Sequence, residues 1–477
     1  MHVTSMHFKP RATQKLADPH LREALDGLKI RFVPGRANAI AELDNYEEIR
    51  DSAALIRQRA LDHLDFFLEE FERNASARGA TVHWAETWDD VTAIVCNIAR
   101  ENLVRKAVKS KSMVSEECAL NEALEAAGIE VVETDLGEYI LQLGNEPPSH
   151  IIAPVIHKTK DQVSDLFADK HAKPRKTDIG EMTREAREVL RPHFLSADMG
   201  ITGANFVVAE TGSTLIVTNE GNGRMVTTLP RIHVAITGIE KVVPTLEDVA
   251  TLMRLLPRSA TGQSISNYVS ITTGTRQTGD LDGPEQFHIV LVDGGRSKLL
   301  ASEFRSILRC IRCGACMNHC PVYQNVGGHA YGWVYPGPMG SVLTPNFIGI
   351  DKALDLPHAA TLCNQCGVVC PVKIPLPELL RKLREKQYDL DLRPRVERMA
   401  LRGWTYLAAH PRLYAFGAAI AARGLRWLSD RRGMITRLPF GGGWTVGRDL
   451  PAPEGETFRT LYAKRRGKSG TDHDCRQ

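Results

Sequence analysis

The run Cys310-Ile311-Arg312-Cys313-Gly314-Ala315-Cys316-Met317-Asn318-His319-Cys320-Pro321 constrains this chain more than any other part of its 477 residues. It has the C-x2-C-x2-C-x3-C-P spacing by which bacterial-type ferredoxins hold [4Fe–4S] clusters, the fourth cysteine reaching across to a second cluster. A second group, Cys363-Asn364-Gln365-Cys366-Gly367-Val368-Val369-Cys370-Pro371, follows after 42 intervening residues and supplies the partner half. Seven of the ten cysteines therefore sit in two coupled groups, which predicts a chain that moves electrons singly. An iron–sulfur cube needs converging thiolates, and Gly314 and Gly367 are expected to give the backbone the φ freedom to wrap them. The proline after each last cysteine turns the chain away. Paired C-x2-C units also build zinc sites, but zinc takes two pairs rather than a run of four and then three. No secretory signal is read near the first residues, which argues against disulfides.

The two groups are not equivalent. Aligned on Cys370-Pro371, the second group has Ala360 where the first has Cys310. Cross-ligation then predicts one full set, Cys310, Cys313, Cys316 and Cys370, and one short set, Cys320, Cys363 and Cys366. The first set suits a [4Fe–4S] cluster. The second suits a [3Fe–4S] cluster, or a [4Fe–4S] cluster with one iron held by another group. His319, His329 and His358 are nearby candidates for that fourth ligand, although packing or surface roles are the simpler expectation for each.

A hydrophobic content of 43% with 25% charged residues is that of an ordinary globular chain, and the length predicts two to four domains. The net charge of +3 hides an asymmetry. Residues 381–477 hold 21 Lys and Arg against 10 Asp and Glu, a net +11. Without a nucleic-acid recognition motif, this tail predicts docking to an acidic protein or to anionic lipid heads, weighed against a solvated helical surface. The most apolar stretch, residues 413–422, is about half the ~20 residues a spanning helix needs. No transmembrane segment is expected, peripheral membrane contact stays open, and the cytoplasm is the expected compartment.

Before residue 300 the pattern is different. Residues 45–76 read as helical, with apolar positions three and four apart. Strands are then expected at 80–84, 103–108, 129–132, 204–209, 214–218, 232–237 and 287–292, with helices at 88–100 and 117–127. That alternation predicts α/β layering around a mainly parallel sheet. Residues 1–20 and 450–477 are expected to be poorly ordered.

Within this region, Gly221-Asn222-Gly223-Arg224 lacks the continuation of a dinucleotide fingerprint. Residues 209–214 offer either an anion loop with Glu210 as a working carboxylate or, more simply, a hairpin turn. His150 and His157 offer either metal binding or structural roles. Lys109 and Lys111 sit at a strand end where they either meet an anion or face solvent. Cys96 is expected in the core, Cys475 lies in a tail, and Cys118 fits no ligand pattern.

Together these residues carry a resemblance. Residues 109–117, 148–154, 209–213, 310–323 and 363–376 are similar to the lactate-utilisation protein B family. The short second cysteine group suits that family too, so Ala360 is not a lesion peculiar to this chain. The resemblance implies an N-terminal α/β LUD domain, sugar-phosphate isomerase/CoA-transferase-like, followed by an all-α helical ferredoxin domain. The resulting division is an extension at 1–44, a LUD domain at 45–300, a ferredoxin domain at 301–390 and a basic extension at 391–477. The family's role implies a cytoplasmic three-component system oxidising L-lactate to pyruvate. Its other members would be a cysteine-rich heterodisulfide-reductase-type protein and a stand-alone LUD protein, with the electron acceptor unknown.

The long gap between the cysteine groups fits a helical ferredoxin, since compact ones use a shorter hairpin. Oxidising a 2-hydroxy acid normally needs a flavin or nicotinamide and a general base, and no flavin site is evident in this sequence. Three roles follow: an electron-transfer subunit, an oxidoreductase with its own site for another 2-hydroxy acid, or an iron–sulfur redox sensor.

Overall fold

The computed structural model describes residues 3–266, 268–439, 441, 445 and 448–469. Residues 1–392 make one compact unit and residues 393–477 another.

Among the described residues the first unit carries ten strands: β1 (Ala80–Ala85), β2 (Lys106–Lys109), β3 (Glu130–Glu133), β4 (Met199–Gly203), β5 (Phe206–Val208), β6 (Ser213–Thr218), β7 (Ile232–Gly238), β8 (Val242–Val243), β9 (Tyr268–Thr272) and β10 (Gln286–Val292). Six of them form a wholly parallel sheet in the order β1-β10-β7-β4-β2-β3. The sequence explains the centre of that order. All seven residues of β7 are buried, the continuous run that a parallel strand covered on both faces requires. Helix Trp88–Glu101 follows β1 and starts at a reciprocal cap in which Thr87 and Asp90 each bind the other's backbone N–H. Its apolar stripe, Val91, Val95 and Ile98, covers one face of the sheet.

A second sheet, β8-β5-β6-β9, pairs β5 with β6 and β6 with β9 antiparallel, and β5 with β8 parallel. The α/β reading with a parallel sheet thus holds, but the chain divides its strands between two sheets. Strand β4 escaped sequence reading because Gly200 and Gly203 look like turn residues. Gly200 instead allows close packing: a Cβ there would lie 2.0 Å from the Val226 carbonyl oxygen of helix Asn222–Thr228. That helix also accounts for the glycines at 221 and 223.

Residues 3–44, read from sequence as a partly disordered extension, fold into helices Phe8–Leu16, Pro19–Gly27 and Val33–Ala41. Their buried face packs against the cysteine-bearing segment. The Phe8 ring meets Tyr331 edge-on at 5.2 Å, and Thr4 N donates to Gly332 O at 2.8 Å. After β10, residues 296–389 hold only α- and 3-10 helices. Leu21 and Leu25 of the first helices, Leu252 of helix Leu246–Ala260, and Leu308, Tyr323 and Leu379 of the cysteine-bearing segment share one core.

The second unit contains helices Arg395–Ala409, Pro411–Trp427 and Phe458–Ser469 and a two-residue antiparallel pair, Met434–Ile435 with Leu450–Pro451. Among the described residues no helix is long and apolar enough to cross a membrane. Cys475 lies outside the described residues.

Arg57, fully buried on helix Tyr46–Asp62, ties the sheet to the turn that leads into Cys310. Its guanidinium donates to Val242 O at 2.7 Å, Leu308 O at 3.2 Å and Arg309 O at 3.4 Å, and also to Glu240 O. Arg57→Met strands these buried acceptors. It is expected to destabilise the protein by at least about 1–3 kcal/mol in denaturant titration and to speed iron loss to a chelator.

Candidate iron–sulfur centre

The two cysteine groups fold into the same local shape by different residues. In the first, Arg312 (φ 59°) and Gly314 (φ 75°) take left-handed conformations on either side of Cys313. A single helical turn, Ala315–Asn318, then presents Cys316. In the second, Leu362 (φ 56°) and Asn364 (φ 65°) flank Cys363, and Gln365–Val368 presents Cys366. Asn364, not Gly367, therefore supplies the second left-handed turn, a correction to the sequence reading. Asparagine tolerates this region because its short polar side chain bonds locally. Gly367 is needed for space: a Cβ there would sit 2.6 Å from Asn364 Oδ1.

Cys310, Cys313, Cys316 and Cys370 line one small cavity with Ile151, Met339 and Ile374. Cys370, which comes from the second group, thus lies with the three thiols of the first. Burial pushes the Cys313 thiol up to about 12, with Cys310 and Cys370 adding repulsion. Burial likewise raises Cys316, and the charges of Cys310, Cys313 and Cys370 reinforce it. Cys320 crosses the other way. Burial raises Cys366 to about 12, and the charges of Cys320 and Cys363 add to the shift. Thiols crowded and buried in this way hold their protons unless a cationic centre meets them, which is the environment that iron ligation requires. Among the described residues no three His, Cys, Asp or Glu side chains gather on a single metal-ion position.

Backbone amides point at sulfur, among them Arg312 N, 3.4 Å from Cys310 Sγ, and Ile374 N, 3.3 Å from Cys370 Sγ. Cations come from elements that sequence reading did not connect to the cysteines. Arg50 donates to Cys370 O and Val368 O, both at 2.8 Å, and Arg36 donates to Val369 O at 2.9 Å. Arg312 stacks 4.7 Å over the Tyr335 ring. The sites differ in exposure: Cys313 and Cys370 are buried, whereas Cys363 is exposed within an exposed run, residues 361–365.

The other candidates have local work. His319 Nδ1 lies 2.9 Å from Ala315 O, His329 Nε2 lies 2.8 Å from Pro147 O, and His358 Nε2 lies 3.1 Å from Gln387 Oε1. His150 Nδ1 accepts from Ile152 N and Ala153 N, each at 3.0 Å, so its Nε2–H donates to Asn318 Oδ1 at 2.8 Å. Burial holds it down to about 4, and it is a neutral clasp between residues 149–154 and the first cysteine group. His157 turns instead to Glu146 at 2.9 Å and Ser149 at 2.7 Å, so the two rings do not share a metal. Glu210 sits on the β5–β6 hairpin and accepts from Leu246 N at 3.1 Å. Lys109 is fully buried, bonded to Glu133 at 2.7 Å and to Glu116 and Asn121 at 2.9 Å each.

Lys111 lines a cavity of about 430 Å³ with Arg312 and Ile151 in its wall, and Ile151 also lines the separate cavity of the first cysteine set. At the Arg312 end lies a buried relay of charges. Arg296 Nε binds Glu240 Oε2 at 2.7 Å, and its other arm binds Glu117 Oε1 at 2.7 Å, which also accepts from Tyr335 Oη at 2.5 Å. Burial alone would raise Glu240, yet Arg296, Lys241 and Arg312 hold it down to about 2. Burial and the charge of Arg312 push Lys241 down to about 7. At the far end stand Asp135 and Glu220, beside Lys111.

Three family matches tile the chain: the LUD domain over residues 68–292, the 4Fe-4S dicluster domain over 306–374, and "Lactate utilisation protein B, C-terminal" over 381–467. The chain is 44% identical to "Lactate utilization protein B" of Bacillus licheniformis and 45% identical to that of Shouchella clausii, over 99% of both chains in each case. The chain belongs to the lactate utilisation protein B family. It is also 44% identical, over 97% of each chain, to the "Uncharacterized electron transport protein YkgF" of Escherichia coli K12. For this family member the match at 306–374 and the converging thiols agree on iron–sulfur cofactors.

Burial and the charge of Asp135 raise Glu220 from 4.5 to about 7. The folded state therefore binds the extra proton, and stability falls as pH rises from about 4.5 through about 7. Glu220→Gln removes that dependence. Thermal melts of the anaerobic protein should show the variant more stable than the parent at pH 8 and close to it at pH 5.

Proposed function

We propose that this chain is the iron–sulfur electron-transfer subunit of a cytoplasmic complex that oxidises L-lactate to pyruvate. One observation carries the reading: each cysteine group sends its last thiol to the other, giving two adjoining sites of unequal burial. Cys310, Cys313, Cys316 and Cys370 would hold a [4Fe–4S] cluster. Cys320, Cys363 and Cys366 would hold the second, as [3Fe–4S] or as [4Fe–4S] with one iron bound by another group. Bound there, such clusters accept and release single electrons. The helical segment between the LUD domain and the C-terminal extension would be the all-α ferredoxin domain.

The chain's own residues do the rest. Ile151, Met339 and Ile374 keep water from the first site. Arg36, Arg50 and Arg312 offset the negative charge of the thiolates, while the N–H···S contacts favour the more negative, reduced state. The exposed run at 361–365 leaves the second site open to a docking protein, so electrons would arrive at the buried site and leave at the exposed one. The expected partners are a cysteine-rich heterodisulfide-reductase-type subunit, a stand-alone LUD protein and an acceptor still to be identified. The relatives' names, lactate utilisation for two and electron transport for the third, support this assignment.

Low-temperature EPR of the anaerobic protein with its partners, before and after L-lactate and with dithionite as the full-reduction control, tests the reading. Lactate should produce reduced-cluster signals only when partners are present. Dithionite-reducible clusters that lactate never reduces, with competent partners, would sink it. Cys310→Ser and Cys366→Ser should each abolish one EPR signal and each lower lactate-driven flux to background. Flux surviving either loss would rule out a two-site wire.

A further inference from the structure

We infer that the cavity running from Lys111 to Arg312 binds a small organic monocarboxylate, whose carboxylate sits on Lys241 and Arg312 beside Cys310. Other buried cations in this fold are well satisfied: Lys109 has two carboxylates, Arg296 has Glu117 and Glu240, and Arg57 has four backbone carbonyls. Lys241 is less well satisfied. It is 6% exposed and lines the cavity, yet its three donors make one hydrogen bond, 3.4 Å to Cys310 O, with no ion pair among the described residues. Arg312 is similarly underused. One arm reaches only the Met339 sulfur at 3.4 Å, and the other lies 3.4 Å from Glu240, whose second oxygen Arg296 already holds at 2.7 Å. Lys241 and Arg312 therefore present adjacent buried donors whose contacts are all long, and a carboxylate supplies closer ones.

The rest of the lining sets the class. Asp135 at the opposite end, where Lys111 is already paired with Glu138, disfavours a second carboxylate on the ligand. Ile140, Ile152 and Ile216 give apolar walls that suit a short carbon chain better than a fully hydrated inorganic anion. At about 430 Å³ the space takes such an acid together with ordered water. Ile151 lines both this cavity and that of the first cysteine set, and Arg312 sits between Cys310 and Cys313. On the electron-transfer reading, upon which this assignment rests, a 2-hydroxy or 2-oxo acid bound here lies next to the site where electrons arrive.

The test uses the anaerobic full-length protein with iron and sulfide content verified. Calorimetric titration compares L-lactate and pyruvate with neutral lactamide and with inorganic phosphate. Saturable binding of the two carboxylates is expected, with lactamide and phosphate about ten- to a hundredfold weaker. Lys241→Gln should weaken lactate binding by a similar factor and Lys241→Arg should restore it. Lactate, but not lactamide, should also change the EPR lineshape of the dithionite-reduced wild type. Absence of saturable binding overturns the site, as does lactamide or phosphate binding as tightly as lactate. Undiminished binding by Lys241→Gln with its clusters intact also overturns it, leaving Lys241 as a charge balance for the thiolates. If that variant loses its clusters, the wild-type comparison of lactate with lactamide decides. Lactate-driven reduction with partners, but no binding by this chain alone, overturns the site and leaves the electron-transfer reading standing. Binding without any lactate-driven reduction does the reverse.

Discussion

Gathering thiolates inside a protein sets a charge problem that the whole of the first unit is arranged to answer. Burial raises Cys313, Cys316, Cys366 and Cys370, and each neighbouring thiolate makes the next harder to ionise. Bound iron offsets part of that, and fixed cations offset more. Arg36 and Arg50 reach the second cysteine group, Arg57 reaches the turn before the first, and Arg312 lies within it. Three of the four come from helices that precede the first strand, so the N-terminal residues are part of the redox site's electrostatics. Their guanidinium groups also bind backbone carbonyls, and the same side chains both fix the loops and set their potential.

The α/β sheet and the cysteine-bearing helices are joined through charge as well as through packing. Glu240 follows β7 directly, and Arg296 opens the helix after β10, so the ends of two central parallel strands project a carboxylate and a guanidinium toward Cys310. Glu117 and Tyr335 extend that relay, one from the motif after β2 and one from the segment after the first cysteine group. Loops at the carboxyl ends of parallel strands are where α/β folds gather ligands. Here the 430 Å³ cavity opens among those loops and shares the Ile151 wall with the separate cavity of the cysteine set.

What was legible in the sequence was local in it. The two cysteine groups stood out because the thiols within each group lie a few residues apart. β7 and β10 were legible because strands covered on both faces are mostly apolar, here interrupted by His233 and Thr237 in β7 and by His288 in β10. Residues that act across long separations left no such trace. Arg50 lies 320 positions from its partner Cys370, and Arg57 lies 251 from Leu308. In the sequence each is one more arginine on a charged helix. β4 was hidden by Gly200, whose missing side chain makes room for Val226, and Asn364 was overlooked because Gly367 stood three residues on. The cavity was invisible for the same reason, since its polar groups come from at least five separate segments.

The unequal burial of the two cysteine sites bears on how the protein would fail in air. Oxidants and chelators arriving from solvent meet Cys363 in its exposed run first, while Cys313 and Cys370 remain sealed beneath Ile151 and Ile374. Damage would then begin at Cys363 and reach Cys313 and Cys370 last. Any protein seated over residues 361–365 would shield the vulnerable thiol.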